Sequence, residues 1–377
     1  MPDYETLRLI WWAILGVLLI GFAVTDGFDL GVGATFRFLG RSDDERRALL
    51  ESIEPVWEGN QVWFILGGGA LFAAWPLLYA ASFSGLYLAM FLVLVALILR
   101  PVGFTFRGKL TEPRWRNGWD WALTVGGAVP ALLFGVAFGN LFLGLPFYYD
   151  DLQRPVFTGS FFGLLHPFAL LVGIVSLAML IMHGNAYAAF KVGEPMSQRA
   201  AAVGRAAAVV FAVAFILAGL WVDHLEGAHI VAGADPMGPS NPLGKLVLAL
   251  PGAWLANYRE HPLLWLLPLL GIVGAAANWT WLGAQRAGRA FLASCLSVAT
   301  TILTAGVALF PFLMPSSTHP SHGLTIWDAS SSAFTLGIML LAVVILLPVI
   351  LAYTAWVFHV LRGRITLEEI RRHTGFY

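Results

Sequence analysis

Long apolar runs separated by short charged segments dominate the hydropathy pattern of this 377-residue chain. A helix needs about 20 mostly apolar residues to cross a bilayer. Nine runs meet that length, so the pattern predicts an all-α polytopic membrane protein with nine transmembrane helices in one integral membrane domain, residues 1–377. The nine predicted spans are Leu7–Thr25, Val56–Trp75, Tyr79–Leu99, Trp121–Leu143, Phe161–Met182, Ala206–Val222, Leu263–Leu282, Ala290–Leu313 and Phe334–Phe358.

Local signals refine the first three spans. The first is expected to continue past its glycines to Phe38, as a helix or a broken helix. A Trp75-Pro76 turn is all that separates the second and third spans, which predicts a tight hairpin. Ser42 and Glu45 have the spacing of a capping box, which predicts a short amphipathic helix in the loop before the second span.

Positive charges are distributed unevenly over the loops that join the nine spans. Cytoplasmic loops of membrane proteins carry an excess of lysine and arginine. With the N-terminus placed outside, all but four of the 22 lysines and arginines fall on the inside. The charge pattern therefore predicts an outside N-terminus and an inside C-terminus. The exceptions are Arg8, Arg154, Lys245 and Arg259.

Composition agrees with the membrane prediction and excludes several kinds of chemistry. The chain is 58% hydrophobic and only 12% charged, whereas soluble proteins carry about 25% charged residues. Its net charge of zero argues against a nucleic-acid partner. The single cysteine, Cys295, excludes an internal disulfide, an iron–sulfur cluster and a cysteine-rich zinc site. The nine histidines form no His-x-x-x-His pair, so we expect this chain to ligate no metal and no haem.

Two aspartates lie in the continuation of the first apolar helix. Asp26 and Asp29 are three residues apart and therefore share one helix face. An ionised carboxylate near hydrocarbon costs about 3 kcal/mol even on the lenient insertion scale. Two interpretations remain open from the residues alone. The carboxylates either bond to backbone or water at the inner end of the helix, or they serve a proton path, an ion path or a partner contact.

A polar stripe enters the second span. Its members step by three, four and three residues, so they lie on one helix face. They are Glu51, Glu54, Glu58 and Gln61. A line of protonatable groups that leads into the membrane is typical of a proton relay. A solvated helix end is the simpler interpretation for the first two members. For Glu58, which has Trp57 before it and Asn60 after it, we favour a functional role.

Together these segments resemble subunit II of the cytochrome bd-type quinol oxidases of bacteria. The resemblance extends over nearly the whole chain. The stretches that carry it are Asp3–Glu5, Trp11-Trp12, Gly21–Asp29, Trp57–Trp63, Leu71–Pro76, Arg100–Phe104, Trp115–Asn117, Ala137–Asn140, Phe310–Ser317 and Trp327–Ala329.

The resemblance implies a membrane complex that oxidises quinol and reduces oxygen to water without copper. It implies that subunit I, the partner, holds two b-type haems and one d-type haem, and that this chain has no catalytic residue of its own. The implied fold is two four-helix bundles plus a ninth helix, in the bacterial cytoplasmic (inner) membrane and surrounded by lipid. Small single-helix accessory subunits and a structural quinone within subunit II are further features of some members.

The resemblance also assigns roles to single residues. Family members commonly have aspartate where this chain has Glu58, and that acid is associated with a proton path across the subunit interface. The side chain here is one methylene longer, which alters the geometry of any water chain. Asp26 and Asp29 match the family pattern and are the next candidates for the path. Trp57, Asn60 and Gln61 are expected to shape the site, and Trp63 to line an apolar route for oxygen.

Two other functions compete with the oxidase subunit. In a proton-coupled transporter, Asp26, Asp29 and Glu58 would bind the coupling ion directly. In a pure scaffold, the same acids would serve packing alone. The missing internal repeat argues against inverted-repeat transporters, and the shared stretches favour the oxidase.

Overall fold

The computed structural model describes residues 2–372, which form long helices joined by short connections and small hairpins. Its helices are α1 Tyr4–Leu39, α2 Asp43–Ala74, α3 Pro76–Gly85, α4 Tyr87–Arg107, α5 Pro113–Leu143, α6 Pro167–Lys191, α7 Met196–Val222, α8 Ala256–Glu260, α9 Leu266–Gly283, α10 Ala287–Leu309, α11 Ala333–Val360 and α12 Leu367–Arg372. Its strands are β1 Phe147–Tyr149, β2 Pro155–Phe157, β3 Glu226–Ala232, β4 Leu246–Pro251, β5 Phe312–Met314 and β6 Leu324–Thr325.

Three antiparallel hairpins, β1–β2, β3–β4 and β5–β6, gather at one end of the molecule. They are joined to one another, for instance by a hydrogen bond of 3.0 Å from the Tyr149 backbone N–H to His322 Nδ1. We call this the hairpin end. The opposite end carries most of the arginines in its short connections, and we call it the basic end.

Buried charges fasten the hairpin end to α1. Arg8 on α1 is fully buried and donates to the carbonyl of Pro236 at 2.5 Å and to Ser330 Oγ at 2.7 Å. Lys245, which precedes β4, forms a buried ion pair of 2.9 Å with Asp328. Burial lowers the pKa of Lys245, and the carboxylate of Asp328 opposes that shift. These contacts tie the segment between β3 and β4 to α1 and to the segment before α11.

Eight helices within residues 2–372 are long and apolar enough by themselves to cross a membrane. The second predicted span lies in α2, which passes the same test only jointly with α3, and α3 is bent away from it by 118°. Each of the nine predicted spans overlaps a long helix. The number of crossings stays a prediction, because α2 begins with several charged turns.

The ends of several predicted elements were wrong. The third span is broken at Leu86, between α3 and α4, where Gly85 packs against the ring of Phe157. The fifth span begins later than predicted, at Pro167, because proline is favoured at the first helical position. The eighth ends at Leu309, because Pro311 cannot donate a helical hydrogen bond and the chain enters β5.

Two other predictions concern α1 and α2. The first helix runs without interruption to Leu39, so it is continuous rather than broken. The capping box is confirmed, because Glu45 N–H donates to Ser42 Oγ and the Glu45 carboxylate accepts from the Ser42 N–H. The predicted short amphipathic helix is not separate. It forms the first turns of α2, since Pro55 is tolerated inside that helix.

α1 is the central helix of the molecule. It packs against α2, α5, α6 and α10, and residues 26–36 of its inner half are buried on every side. Glycines allow the closest crossings. A Cβ on Gly31 would overlap the carbonyl oxygen of Leu180 on α6, and one on Gly127 of α5 would overlap the backbone of Ala34. By contrast, only 11% of the apolar stretch of α11 is buried within this chain.

Candidate functional site: a buried carboxylate cluster and an exposed glutamate

Asp26 and Arg100 form a buried bidentate ion pair between α1 and α4. Arg100 Nη1 lies 3.0 Å from Asp26 Oδ2, and Nη2 lies 2.7 Å from Oδ1. Both side chains are buried, at 0% and 3% exposure. Paired guanidinium and carboxylate planes give the strongest and most directional charge-assisted hydrogen bonds in proteins. The pair therefore fixes the position of α4 against α1.

Asp29 lies one turn further along α1 and is held differently. Its Oδ2 accepts a hydrogen bond of 2.8 Å from Asn60 Nδ2 on α2, and Arg100 Nη2 is 3.9 Å from the same oxygen. Its Oδ1 is buried and has no hydrogen-bond partner within the residues that the structure describes. Buried polar atoms are usually satisfied by protein or water. This oxygen is therefore the open position of the cluster.

The charges of this buried cluster do not balance when both acids are ionised. Two carboxylates then face one guanidinium, and an unpaired charge in a protein interior is costly. One proton on the cluster would remove the imbalance. Trp57 of α2 borders the cluster, with its ring 6.0 Å from the Arg100 guanidinium carbon. The arrangement is chemically suited to hold and release a single proton.

A second ion-pair network closes the basic end beneath this cluster. Buried Asp120 on α5 accepts from Arg46 and Arg107, each at 2.6 Å. Asp43, at the start of α2, accepts from Arg107 at 2.8 Å and from Arg116 at 2.7 Å. The network joins α2, α4 and α5 where their ends meet. Its regular geometry and full pairing indicate a structural role.

Glu58 does not belong to either cluster. It lies on the outward face of α2, exposed, and its side chain makes no hydrogen bond or ion pair within residues 2–372. Asn60 is two residues later and faces the opposite way, toward Asp29, because successive helix positions differ by about 100°. Gln61 is half-buried. The structure therefore brings Asp26, Asp29 and Asn60 together and leaves Glu58 apart.

The remainder of the polar stripe leads from Glu58 to the basic end. Glu51 and Glu54 line a small cavity of about 130 Å³ together with Arg47 and Lys109. Glu54 is one helical turn from Glu58, on the same face of α2. The stripe thus connects a water-accessible cavity at the basic end with an exposed carboxylate further along the helix.

The two tryptophans of the predicted site have different surroundings. Trp57 is half-buried and packs on Phe104, with 5.5 Å between ring centroids. Trp63 is buried and lies directly against Gly21 of α1, so no open volume adjoins that contact. The neighbouring Phe64, rather than Trp63, lines a cavity of about 160 Å³. The oxygen route through Trp63 stays a prediction.

Within residues 2–372, no group of three or more histidine, cysteine, aspartate or glutamate side chains could hold a metal ion. His183 on α6 is the most buried histidine, and both of its ring nitrogens are engaged, by Ser294 Oγ at 2.8 Å and by the carbonyl of Val24 at 2.9 Å. It links α6, α10 and α1, a role that the sequence pattern did not reveal.

Arg100 is the member of the buried cluster that sequence reasoning missed. The charge pattern placed it among the basic residues of a loop, whereas it lies inside α4, seven residues before Arg107 ends that helix. A signal was present, because Arg100 follows an uninterrupted apolar run. A cation in such a position needs a buried anion. Asp120 lies between Trp119 and Trp121, so the sequence likewise placed a charged residue among apolar neighbours.

Fold and site together define a class of protein. The chain is a polytopic helical membrane protein whose acidic residues are divided between a buried ion-pair cluster and an outward-facing helix surface. The family model that matches residues 7–361 is that of cytochrome bd terminal oxidase subunit II. The chain belongs to this family. It is thus a member of an oxidoreductase complex and a multi-pass protein of the bacterial inner membrane.

Relatives cover the chain from end to end. Subunit 2 of the cytochrome bd-I ubiquinol oxidase of Escherichia coli K12 is 52% identical over 375 residues, 99% of both chains. A probable cytochrome oxidase subunit 2 of Haemophilus influenzae is 49% identical over 373 residues, again 99% of both chains. A chain in the structure of bd oxidase from Geobacillus thermodenitrificans superposes with a TM-score of 0.67. It is 15% identical, and the match covers 94% of this chain and 98% of that one, so it supports the fold alone.

Proposed function

We propose that this chain is the non-haem subunit of a bd-type quinol oxidase. Its partner, subunit I, would hold two b-type haems and one d-type haem and would oxidise quinol while reducing oxygen to water with four electrons. Protons for that water would come from the cytoplasm, which generates a proton gradient. Family membership supports this assignment. The contribution of this chain would be to stabilise subunit I and to carry protons.

Glu58 is the residue that we propose for proton transfer to the partner. The observation that carries the proposal is its position: an exposed, unpartnered carboxylate on the outward face of α2, at the end of a stripe that begins in the cavity beside Glu51. A carboxylate so placed is costly in lipid. The cost is removed if Glu58 faces a hydrated seam between the two subunits, where it can accept a proton from Glu54 through water.

Asp26 and Asp29 would serve the path in different ways. The bidentate pair of Asp26 with Arg100 holds α1 and α4 together and is poorly suited to release a proton. Asp29 has one oxygen without a partner among residues 2–372. We therefore assign proton storage to Asp29, with Asn60 orienting its carboxylate and Trp57 shielding the site. Gln61, half-buried beside them on α2, would help to order water near Glu58.

An apolar cavity suits a structural quinone. The cavity of about 560 Å³ opens near the hairpin end between α6, α7, α9 and α10. Its walls are mostly aromatic and aliphatic, and Tyr258, His224 and Arg259 lie at its polar margin. A prenyl chain fits such walls, and the polar margin offers hydrogen bonds to quinone carbonyls. The quinone would act as a structural lipid that fills the space between α6, α7, α9 and α10.

The arrangement in the membrane follows from the same proposal. The basic end would face the cytoplasm, with nine crossings arranged as two four-helix bundles and one additional helix. In this arrangement α1, α2, α4 and α5 would be linked through α1 and α5, and α6, α7, α9 and α10 through α6 and α9, while α1 and α5 also pack against α6. The outward faces of α2 and α11 would contact subunit I, leaving other faces to lipid or single-helix accessory subunits.

The test compares Glu58→Gln, Glu58→Asp and Glu112→Gln in the purified complex. Glu112 is an exposed acid beside α5 and serves as the matched control. We expect Glu58→Gln to lower quinol-dependent oxygen uptake by about tenfold or more, because amide cannot relay a proton. Glu58→Asp should keep most of the rate, and all three complexes should show the wild-type haem spectrum. Unchanged uptake in a haem-loaded Glu58→Gln complex would identify the chain as a scaffold.

A further inference from the structure

Arg205 on α7 has a guanidinium group that no carboxylate neutralises within residues 2–372. Its Nε is buried without a hydrogen-bond partner, whereas its two Nη atoms are not enclosed. The guanidinium carbon lies 4.2 Å above the ring of Trp279 on α9, so a cation–π contact fixes its orientation. Gly283 lies beside the guanidinium, since a Cβ there would be 3.4 Å from the guanidinium carbon, an ordinary contact distance. A half-buried, oriented guanidinium with open Nη atoms is suited to bind an anion from outside the chain.

The depth of Arg205 in the membrane indicates the source of that anion. It is the last charged residue of α7 before the uncharged stretch 206–222. Trp279 and Trp281 lie in the last turns of α9, and tryptophan rings concentrate at the headgroup level of a bilayer. This pattern predicts that the guanidinium of Arg205 lies at the level of lipid phosphates rather than in free solution or in the hydrocarbon.

The surfaces on either side of Arg205 match the two parts of a phospholipid. Toward the hairpin end, Val209, Val213 and Ile216 continue the same face of α7 and are exposed. Toward the basic end, one helical turn away, a cavity of about 340 Å³ begins at Ala201. Its polar and charged lining residues are Ser197, Gln198, Gln285, Arg364 and Glu194. An acyl chain fits the first surface, and a polar headgroup fits the second.

We propose that Arg205 and Trp279 form a binding site for the phosphate of an anionic glycerophospholipid. The Arg205 Nη atoms donate to two phosphate oxygens, a geometry that arginine provides and lysine does not. One acyl chain lies along the α7 face, and the headgroup enters the cavity beside Ala201, where Arg364 adds a second positive charge. The site is separate from the acidic residues of the proton path.

Native mass spectrometry of the delipidated, purified oxidase complex tests this site. Phosphatidylglycerol and phosphatidylcholine are the probes, and the variants are Arg205→Gln, Arg205→Lys, Trp279→Leu and Arg114→Gln. Arg114 is an exposed arginine near the basic end with the same charge and no aromatic partner, so its replacement controls for general electrostatics. All variants keep the residues of the proton path, and oxygen uptake confirms that each complex is intact.

We expect the wild type to retain one phosphatidylglycerol and Arg205→Gln to bind it about tenfold more weakly, the usual effect of losing a charge-assisted hydrogen bond. Trp279→Leu should weaken binding less, Arg205→Lys should restore it only in part, and Arg114→Gln should match the wild type. Equal binding by Arg205→Gln would overturn the proposal. So would displacement of the lipid by millimolar inorganic phosphate, which would indicate a site for the free ion, or an accessory helix found on this face.

Discussion

Asp26 and Asp29 are one helical turn apart, yet their environments give them different importance for stability. Asp26 makes two hydrogen bonds to buried Arg100, whereas Asp29 accepts one from Asn60. Asparagine at position 26 would break the bidentate pair and leave Arg100 only the longer contact of 3.9 Å with Asp29, and breaking a buried ion pair costs about 3–5 kcal/mol. Asparagine at position 29 can still accept the hydrogen bond from Asn60. Single substitutions can therefore distinguish the contributions of Asp26 and Asp29 to stability.

We predict that Asp26→Asn lowers the thermal stability of the purified complex far more than Asp29→Asn does. Adding Arg100→Gln to Asp26→Asn should not recover the loss, because the buried Asp29 carboxylate then loses its nearest guanidinium. Melting followed by the haem absorbance and by retention of both subunits measures the effect. Equal melting of the two single variants would contradict this division of roles.

Sequence alone could identify these acids but not their partner. The three-residue spacing places Asp26 and Asp29 on one face, which the structure confirms. Arg100 is 74 residues away from Asp26 along the chain. Its proximity depends on how α4 packs beside α1, and no local pattern encodes that packing. For the same reason the exposure of Glu58 could not be read from its stripe, since both faces of the helix carry polar residues.

At the scale of elements, glycines on α1 decide which helices it can approach. Gly31 faces the backbone of α6, where an added Cβ would overlap the Leu180 carbonyl oxygen, whereas Gly16 has no atom within 4 Å of such a Cβ. We predict that Gly31→Ala destabilises the complex by about 1–3 kcal/mol through overpacking, and that Gly16→Ala is neutral or stabilising. Thermal melting of the two variants compares them directly. A Gly31→Ala complex that melts like the Gly16→Ala control would show that α1 and α6 can separate without loss.

The length of apolar runs located the helices well and their ends less well. Long uncharged runs place each span because the membrane imposes a minimum length. The ends of helices depend on individual residues instead. Because of Pro167 the start of α6 differs from its prediction, and because of Pro311 the end of α10 does. Leu86 illustrates the limit, because the helix is interrupted there, where α3 packs against β2 in a long-range contact. The continuity of α2 through Pro55 was likewise invisible, since charge and proline both favour a break.

At the scale of the whole molecule, many helices expose apolar side chains, and two of these surfaces lie on α11 and on the outward face of α2. α11 packs only lightly on α1 and α2, and the outward face of α2 presents a line of exposed positions. That line consists of Glu58, Val62, Ile65, Gly69 and Phe72. Its glycine leaves a flat area of the kind at which membrane helices approach closely. The single carboxylate in this line is the proposed proton-transfer residue, so one surface would both bind subunit I and conduct protons.

We predict that Gly69→Trp prevents subunit I from docking without unfolding this chain. An added side chain at Gly69 meets no atom of the chain within 4 Å, so the indole would project outward into the proposed interface. Leu292→Trp on α10, also an exposed position, adds the same ring to a face assigned to lipid. Co-purification of subunit I through a tag on this chain should fall about tenfold for Gly69→Trp, since overpacking an interface costs roughly 1–3 kcal/mol. It should stay at the wild-type level for Leu292→Trp. Full recovery of subunit I with Gly69→Trp would place the interface elsewhere, and Glu58 would then need a different explanation for its place on the surface.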